Sequence, residues 1–286
     1  MFAIAGVSGR TGAIAAQTLL AQGQKVRVIV RDAAKGEVWK KQGAEVAVAE
    51  LSDIAALTTA LTGVKGVYLL SPPDFTVKDF VANRRSLLDG VAKAVKAAKV
   101  PAVVFLSSVG AQVPSGTGPI ITVRNGEASL RDAAPSVTFV RAAYFVENWG
   151  SVLGLAKSQG ILPHYGPIDV KFSQVTTRDI GEAAARALLN PGDGVRIIEL
   201  AGREDVSVQD VAAAVSKILG KPVHAVSAPV EQAHAGLLQA GLPDPMAGLY
   251  AEMYAGFASG KIGWEKPASI TRGTSSLIDT LRPMLG

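Results

Sequence analysis

Residues 2–12 read Phe2-Ala-Ile-Ala-Gly-Val-Ser-Gly-Arg-Thr-Gly12, a short apolar run that leads into a loop with glycine at every third position. A helical pattern follows, and a second apolar run, Val26-Arg-Val-Ile-Val30, ends at Arg31. A strand, a glycine-rich turn, a helix and a second strand make up the mononucleotide-binding unit of a dinucleotide-binding fold. This stretch therefore predicts that the chain begins with such a unit.

The three glycines of the loop have different physical roles. Gly6 lets the chain leave the strand sharply, Gly9 lets the backbone approach a pyrophosphate, and Gly12 permits close packing of the helix on the strand. A helix that begins near Thr11 points its unpaired N–H groups and the positive end of its dipole at that phosphate. An ordinary strand-to-helix turn is the alternative, but the flanking strands and helix favour the dinucleotide site.

The end of the second strand indicates which cofactor is bound. NAD sites usually carry an acidic residue there for the ribose 2′-hydroxyl, whereas an arginine accommodates the 2′-phosphate of NADP. This chain has Arg31 followed by Asp32, with Arg10 in the glycine loop and Lys35 nearby. A guanidinium can hold a phosphate with two hydrogen bonds and stack on adenine, so we favour NADP(H). In the alternative, Arg31 is a solvated strand end and Asp32 holds the ribose of NAD.

Composition narrows the classes of protein to consider. The 286 residues are 48% hydrophobic, which suits one large core and a smaller lobe. There is no cysteine, and the three histidines are scattered, so neither disulfides nor a zinc site is expected. No apolar run reaches about eighteen residues, and the first strand follows Met1 directly, so we expect no membrane span and a cytoplasmic location. The net charge of +5 is spread along the chain, so no nucleic-acid partner is expected.

Apolar strands alternate with helical segments in the first half of the chain. The predicted strands are 45–48, 67–70, 102–106 and 137–140, and the predicted helices are 53–62, 79–98 and about 124–132. Such alternation predicts an α/β fold, a Rossmann doubly wound parallel sheet with helices on both faces, plus a smaller C-terminal α/β substrate lobe. We assign residues 1–150 to the NADP-binding domain, to which 175–201 returns, and 151–286 mainly to the substrate lobe.

Ligands of such sheets bind beyond the carboxyl ends of the strands. This rule places one binding rim at Gly6–Gly12, Arg31, Glu50–Asp53, Ser71–Pro73, Ser107–Val109 and Ala142–Phe145.

Two features organise the second half. Asp179-x-x-Glu182 and Ser207-x-x-Asp210 are typical of capped helix starts. Between Met246 and Phe257, apolar residues recur on one face of a helix. Core packing of a small lobe and the wall of a hydrophobic substrate pocket both explain this face.

Four stretches together resemble the NmrA-like atypical short-chain dehydrogenase/reductases. They are residues 2–12, Val28-Ile-Val-Arg31, Phe105-Leu-Ser-Ser-Val-Gly-Ala111 and Arg141-Ala-Ala-Tyr-Phe-Val-Glu-Asn148. The resemblance covers most of residues 1–150 and, more loosely, the remainder. It implies a Rossmann domain that binds NADP(H) and a small C-terminal substrate lobe. Members of this family are NADPH-dependent reductases, including quinone reductases, or proteins that sense the nicotinamide pool.

The resemblance also assigns cofactor contacts by position. The pyrophosphate and ribose-phosphate contacts fall on Gly6, Ser8, Gly9, Arg10, Thr11, Gly12 and Arg31. Leu51 would flank the adenine, Ser71 and Ser107 the nicotinamide-side ribose, and Tyr144 and Phe145 the nicotinamide.

The chain departs from typical short-chain dehydrogenases in lacking the Tyr-x-x-x-Lys pair, because no tyrosine has lysine four positions later. The helix expected to carry the pair contains Ile121-Thr-Val-Arg-Asn-Gly126. Arg124 is the nearest basic residue, and an arginine stays protonated and cannot act as a general base. Ser108 stands where the family's active-site serine would be, without its partners, so we favour strand capping or ribose binding for it. We assign no catalytic residue.

Two hypotheses about function follow. Quinones, azo dyes and other conjugated acceptors take up hydride to give a delocalised anion that solvent can protonate, so a reductase of such acceptors needs no acid–base pair. Tyr144, Phe145 and Trp149 would stack on this small hydrophobic or aromatic acceptor, or pack between lobes. The second hypothesis is a redox-sensing regulator whose protein contacts change with NADPH occupancy. A homodimer or a regulatory protein partner is left open, and an epimerase or dehydratase would need the missing pair.

Overall fold

Strands and helices alternate along the chain in the computed structural model, which describes residues 1–74, 76–266 and 269–286. The strands are β1 (Phe2–Ala5), β2 (Val26–Val30), β3 (Glu45–Val48), β4 (Gly66–Leu69), β5 (Ala102–Ser108), β6 (Ser136–Ala142), β7 (Tyr144–Phe145), β8 (Ile161–Tyr165), β9 (Phe172–Val175), β10 (Gly194–Ala201), β11 (Asp205–Val206), β12 (His224–Ala228) and β13 (Ile270–Arg272). The helices are α1 (Arg10–Ala21), α2 (Glu37–Lys41), α3 (Ile54–Leu61), α4 (Phe80–Ala97), α5 (Ile120–Leu130), α6 (Leu153–Gln159), α7 (Thr177–Leu189), α8 (Val208–Leu219), α9 (Ala233–Gln239), α10 (Asp244–Ala258) and α11 (Leu277–Leu285).

Eight strands form one sheet in the order β13-β10-β6-β5-β4-β1-β2-β3. Read from β3, its first six strands follow the order 3-2-1-4-5-6 of the dinucleotide-binding fold. The pairs β1–β2, β1–β4, β2–β3 and β4–β5 are parallel. All residues of β1 and β4 are buried, because continuous apolar runs suit strands that are covered on both faces. The predicted Rossmann-type α/β sheet is confirmed.

The chain divides into two compact units. Unit 1 comprises Met1–Ser108, Ile121–Arg141 and Ile180–Ile198, and unit 2 comprises Val109–Ile120, Ala142–Asp179 and Glu199–Gly286. Unit 2 also contains a three-stranded sheet, β11-β9-β7, and a two-stranded sheet, β12-β8. The functional division into an NADP-binding domain at 1–150 with 175–201 and a substrate lobe at 151–286 stays a prediction.

Each unit has its own hydrophobic core. In unit 1, Phe105 and Phe139 are fully buried and meet edge to face, with ring centroids 6.4 Å apart. In unit 2, Trp149, Leu162 and Leu281 are buried in one cluster. Burial of each such large side chain contributes about 1.5–3 kcal/mol. The apolar residues of each unit therefore stabilise that unit's own elements.

Side-chain caps fix several helix starts where the sequence places them. Asp53 and Asp79 accept hydrogen bonds from the third residue of α3 and of α4, each at 2.9 Å. Ser207 and Asp210 form the reciprocal capping box at the start of α8. By contrast, α5 begins at Ile120, four residues before the predicted start.

The predicted helix cap at Asp179 is wrong. Helix α7 begins at Thr177, and the Thr176 hydroxyl accepts the hydrogen bond from the Asp179 N–H at 3.0 Å. The buried Asp179 carboxylate instead accepts hydrogen bonds from the Thr274 N–H at 3.0 Å and the Ser275 hydroxyl at 2.9 Å. Asp179 thus anchors a distant loop, and Thr176 caps the helix.

Within the described ranges, no helix has the length and apolar character needed to cross a bilayer.

Candidate functional site

The glycine loop of unit 1 connects β1 to α1. Gly6 has φ +70°, in the left-handed region that favours glycine, and its carbonyl oxygen accepts a hydrogen bond from the Gly9 N–H at 2.9 Å. Gly9 directly precedes α1, and among the described residues no side chain caps that helix. The first N–H groups of α1 therefore point out of the loop as donors for an anion.

Gly12 lies where α1 meets the carboxyl end of β1. A Cβ atom at this position would lie 2.5 Å from the Gly6 carbonyl oxygen and 2.6 Å from the Ala5 carbonyl oxygen. Only glycine lets the helix approach the strand so closely, as dinucleotide-binding turns require. The glycine loop thus fits the diphosphate of NADP(H).

Thr11, the second residue of α1, is held from within unit 1 by a tyrosine. The Tyr68 hydroxyl donates a hydrogen bond to Thr11 Oγ1 at 2.9 Å. Tyr68 is fully buried, which raises the pKa of its phenol well above the usual range, so it stays protonated and acts as the donor. In the described part of the chain, Thr11 makes no other side-chain hydrogen bond. Its own hydroxyl proton is therefore available to a ligand.

Arg31 and Asp32 follow β2, and both are exposed. Asp32 Oδ1 accepts a hydrogen bond from the Ala34 N–H at 2.9 Å and caps the short 3₁₀ helix Ala33–Gly36. The cap accounts for an aspartate at position 32 without any contact to a ribose. Arg31 is then the residue at this strand end that is suited to a 2′-phosphate.

The other predicted cofactor residues of unit 1 also lie where its strands end. Ser8 and Arg10 are exposed, and Leu51 and Ser71 are partly buried in the loops after β3 and β4. The Arg84 guanidinium of α4 donates to the Pro72 carbonyl oxygen at 2.7 Å and so fixes the loop after β4. Because the carboxyl ends of β1 to β5 meet at one edge of the sheet, these residues share one rim of unit 1.

Ser107, at the end of β5, belongs to a buried network. Its hydroxyl donates to Glu127 Oε1 at 2.6 Å, and Arg141 donates to both oxygens of Glu127 at 2.9 and 2.8 Å. All three side chains are buried, and such bidentate pairs are strong and geometrically specific. Because its proton is donated to Glu127, the Ser107 hydroxyl can only accept a hydrogen bond from a ribose hydroxyl.

Tyr144 and Phe145 form β7 in unit 2, which pairs in parallel with β9. The Tyr144 ring lies 5.9 Å from Trp149 and 5.8 Å from Phe172, measured between centroids. The indole N–H of Trp149 donates to Gln174 Oε1 at 2.8 Å, and the ring is buried. Trp149 is therefore a core residue of unit 2.

Unit 2 contains a cavity of about 350 Å³ whose walls combine aromatic and other apolar residues. Its rings come from Tyr144, His164, Tyr165, Phe172, Tyr254, Phe257 and Trp264. Lys171 and Asp205 are its charged lining residues, and Asp205 is paired with Arg272 at 2.6 Å. We call it the aromatic cavity. Its size and composition match those of small-molecule sites.

His164 is the imidazole of the aromatic cavity. Neither ring nitrogen has a hydrogen-bond partner among the residues that the structure describes. Burial lowers the pKa of this imidazole to about 4, so the ring is neutral at neutral pH. Across the described ranges, no group of three metal-ligating side chains occurs.

A second cavity of unit 2, of about 390 Å³, has a different character. Lys171, Arg203, Glu204, Asp210 and Lys217 contribute to its lining, which contains no aromatic residue in the described part of the chain. Charges of both signs make it a poor site for a flat conjugated molecule.

The sequence alone indicated only part of the aromatic cavity. Tyr144 was a predicted site residue, and Phe257 lies on the predicted apolar helix face. His164, Phe172 and Tyr254 were missed as site residues. Strands β8 (Ile-Leu-Pro-His-Tyr) and β9 (Phe-Ser-Gln-Val) lack a regular alternation of polar and apolar residues, and no local pattern indicates that their rings share a cavity.

Similar proteins agree with the cofactor prediction. The chain is 30% identical over 253 residues to the NAD(P)H azoreductase of Xenophilus azovorans. This match covers 87% of this chain and 85% of that relative. The NADPH complex of an NADPH-dependent quinone oxidoreductase from Escherichia coli superposes with a TM-score of 0.84 at 27% identity, over 100% of both chains. A triphenylmethane reductase from Citrobacter sp. with NADP(H), 22% identical over 99% of both chains with a TM-score of 0.79, shares the fold.

The chain is an NADPH-dependent reductase, and the prediction of NADP(H) as its cofactor is confirmed. These similarities give no support to the regulator hypothesis. The model of the NmrA-like family matches residues 1–272. The chain thus belongs to the NmrA-like family, as its four motifs indicate.

Proposed function

We propose that this reductase transfers hydride from NADPH to a quinone-like or azo aromatic acceptor that binds in the aromatic cavity of unit 2. The cavity, with walls from seven rings, is the observation that carries the proposal. Flat conjugated molecules gain both apolar burial and favourable ring–ring contacts in such surroundings. The names of the azoreductase and the quinone oxidoreductase relatives support the same class of acceptor.

The rim of unit 1 supplies the residues that would hold the cofactor. The N–H groups at the start of α1 and the hydroxyl of Thr11 would bind the diphosphate, and Arg31 the 2′-phosphate. Leu51 would flank the adenine, and Ser71 and Ser107 would contact the second ribose. When bound, NADPH supplies the hydride, so the protein has to bind the acceptor and orient it against the nicotinamide.

The absence of a Tyr-x-x-x-Lys pair suits a conjugated acceptor. Carbonyl reduction places charge on a basic alkoxide, which needs a protein acid. Reduction of a quinone or azo compound gives a delocalised and much weaker base, which water can protonate. Tyr144 fits a wall of the cavity rather than a proton donor, because burial raises the pKa of its phenol far above the usual range. Its ring, with that of Phe145, is proposed to contact the nicotinamide.

The proposal is tested by NADPH oxidation with a panel of quinones and azo dyes. Phe257→Ala should raise the KM for the acceptor about tenfold, because truncation of one wall removes about 1–2 kcal/mol of apolar contact. Leu249→Ala, on the same helix but outside the cavity lining, is the matched control. Cofactor binding without turnover of any acceptor would contradict the proposed reaction, and equal KM values in both variants would exclude this cavity. A homodimer, a regulatory partner and the cytoplasmic location stay predictions.

A further inference from the structure

We propose that His164 is the hydrogen-bond donor to the negative charge that develops on the acceptor, so that the aromatic cavity selects acceptors that become anions when they are reduced. This inference rests on the proposed function and assigns a residue to it.

Three aromatic side chains hold the imidazole in place. The His164 ring is stacked on Phe172, with centroids 6.4 Å apart and planes inclined by 16°. The rings of Tyr254 and Trp149 approach at 6.0 and 5.8 Å, at 82° and 47° to the imidazole plane. Packing of this kind restricts the side-chain torsions, so the ring nitrogens have a defined direction.

The imidazole has polar atoms that unit 2 leaves unused. His164 is partly buried, and its ring nitrogens are not among the buried, unpartnered polar atoms of the described residues, so solvent reaches them. In the described residues, the ring nitrogens of His164 have no hydrogen-bond partner. A ligand in the aromatic cavity would therefore replace water as their partner and gain a hydrogen bond without breaking one inside the protein.

The charge state of the His164 imidazole determines which ligand atom it can bind. The imidazole is neutral near pH 7 because burial lowers its pKa, and a neutral ring has one N–H donor. The other titratable groups that face it or line the cavity are the phenols of Tyr144, Tyr165 and Tyr254, the exposed Lys171, and Asp205. Asp205 is neutralised by its ion pair with Arg272. A fixed neutral donor stabilises an oxygen or nitrogen that gains negative charge during the reaction.

The reaction balances with this role. The hydride of NADPH brings one proton and two electrons to the acceptor. Negative charge then appears on the conjugated oxygen or nitrogen of the acceptor. The N–H of His164 donates a hydrogen bond to that atom and keeps its own proton. Water then supplies the proton that completes the hydroquinone or hydrazine. Acceptors that start as cations end neutral and gain nothing from this hydrogen bond.

Two ligands of similar shape but different charge test whether His164 recognises negative charge. Protein saturated with NADP⁺, which cannot reduce the ligand, is titrated with 1,4-naphthoquinone, which is neutral, and with 2-hydroxy-1,4-naphthoquinone, which is an anion at neutral pH. His164→Phe keeps an aromatic ring but has no donor. We expect it to weaken binding of the anion about tenfold or more, as for a hydrogen bond to a charged group. Binding of the neutral quinone should change less than about threefold.

Turnover provides the second measurement. With 1,4-naphthoquinone and NADPH, His164→Phe should lower kcat about 100-fold and leave KM nearly unchanged, as when one donor to a developing anion is removed. His224→Phe, at an exposed histidine of β12, is the control and should behave like the wild type. Equal losses for both naphthoquinones, or a selective loss of the anion in Lys171→Met or Tyr254→Phe instead, would overturn the assignment to His164. If the wild type binds neither ligand and reduces no acceptor, the proposed function itself fails.

Discussion

Replacement of Tyr68 by phenylalanine removes one hydroxyl from the interior of unit 1 and keeps the ring that packs there. The lost group is the donor to Thr11 Oγ1 at 2.9 Å. In the wild type this hydrogen bond occupies a lone pair of Thr11 and leaves its hydroxyl proton for a partner other than Tyr68. In Tyr68→Phe the Thr11 hydroxyl loses this partner, so the direction of its proton is no longer fixed.

The expected magnitude follows from one hydrogen bond. A hydrogen bond to a charged group contributes about 1.5–3 kcal/mol, so Thr11→Val should weaken NADPH binding at least tenfold. Tyr68→Phe leaves the Thr11 hydroxyl in place but no longer directed, and should cost about 0.7–1.4 kcal/mol, a rise in Kd of about three- to tenfold. The free energy of unfolding should fall by about 1 kcal/mol in Tyr68→Phe.

The decisive assay is a double-mutant cycle on NADPH affinity, measured by fluorescence titration. If Tyr68 acts through Thr11, Tyr68→Phe has no further effect on Kd once Thr11 is valine. Urea denaturation of the same four proteins reports the purely structural part of each change. An equal rise in Kd in both backgrounds would refute the positioning role, because Tyr68 would then act on the fold and not on the diphosphate-binding hydroxyl.

Three further substitutions test other parts of the molecule. Arg31→Ala should weaken NADPH binding about 10- to 100-fold and NADH binding far less, whereas Lys96→Ala at the end of α4 should change neither, as measured by fluorescence titration. Gly12→Ala should lower the free energy of unfolding by about 1–3 kcal/mol, because its Cβ would meet backbone oxygens at 2.5 Å; the exposed Gly248→Ala in α10 should raise it by about 0.5–1 kcal/mol in the same urea assay. The pKa of His164 is about 4 in the folded protein against an ordinary value near 6.5, so the unfolded chain binds more protons and stability falls as pH drops from about 7 to 5, by about 2 kcal/mol. In urea denaturation at the two pH values, His164→Phe should lack this loss of stability, which the wild type shows. The same pH dependence in both proteins would contradict the lowered pKa of His164.

Local patterns predicted the parts of the fold that depend on local interactions. The glycine loop, the continuous apolar strands, the helix starts at Asp53 and Asp79 and the cap at Ser207 are each specified within a few residues. The start of α5 at Ile120 was predicted four residues too late. Its first turn, Ile120-Ile-Thr-Val, is rich in β-branched residues, which favour strands when taken by themselves.

Overlapping motifs caused the error at α7. Both Thr176-x-x-Asp179 and Asp179-x-x-Glu182 satisfy the pattern of a capping box. The choice between them depends on the Asp179 carboxylate, which is occupied by the Thr274 N–H and the Ser275 hydroxyl. These partners lie 95 and 96 residues along the chain, beyond the reach of any pattern of short range.

The candidate site shows the same limit. The hydrogen bond between Tyr68 and Thr11 spans 57 residues, and the stacked pair of His164 and Phe172 joins strands of two different sheets. Residue type and spacing identified the phosphate-binding loop because its chemistry resides in consecutive backbone groups. They could not identify a cavity whose walls come from β7, β8, β9 and α10.

Helix α5, which would carry the acid–base pair of typical short-chain dehydrogenases, contains a buried ion-pair residue instead. Its buried face carries Glu127, which is bound to Arg141 and to Ser107 at the end of β5. Disruption of this ion pair would leave the Arg141 guanidinium buried without its partner, at a cost of about 3–5 kcal/mol. The ion pair therefore constrains the helix that would carry a tyrosine and a lysine. Without that tyrosine–lysine pair, we expect this reductase to act on acceptors whose reduced form is protonated by water, as in the proposed function.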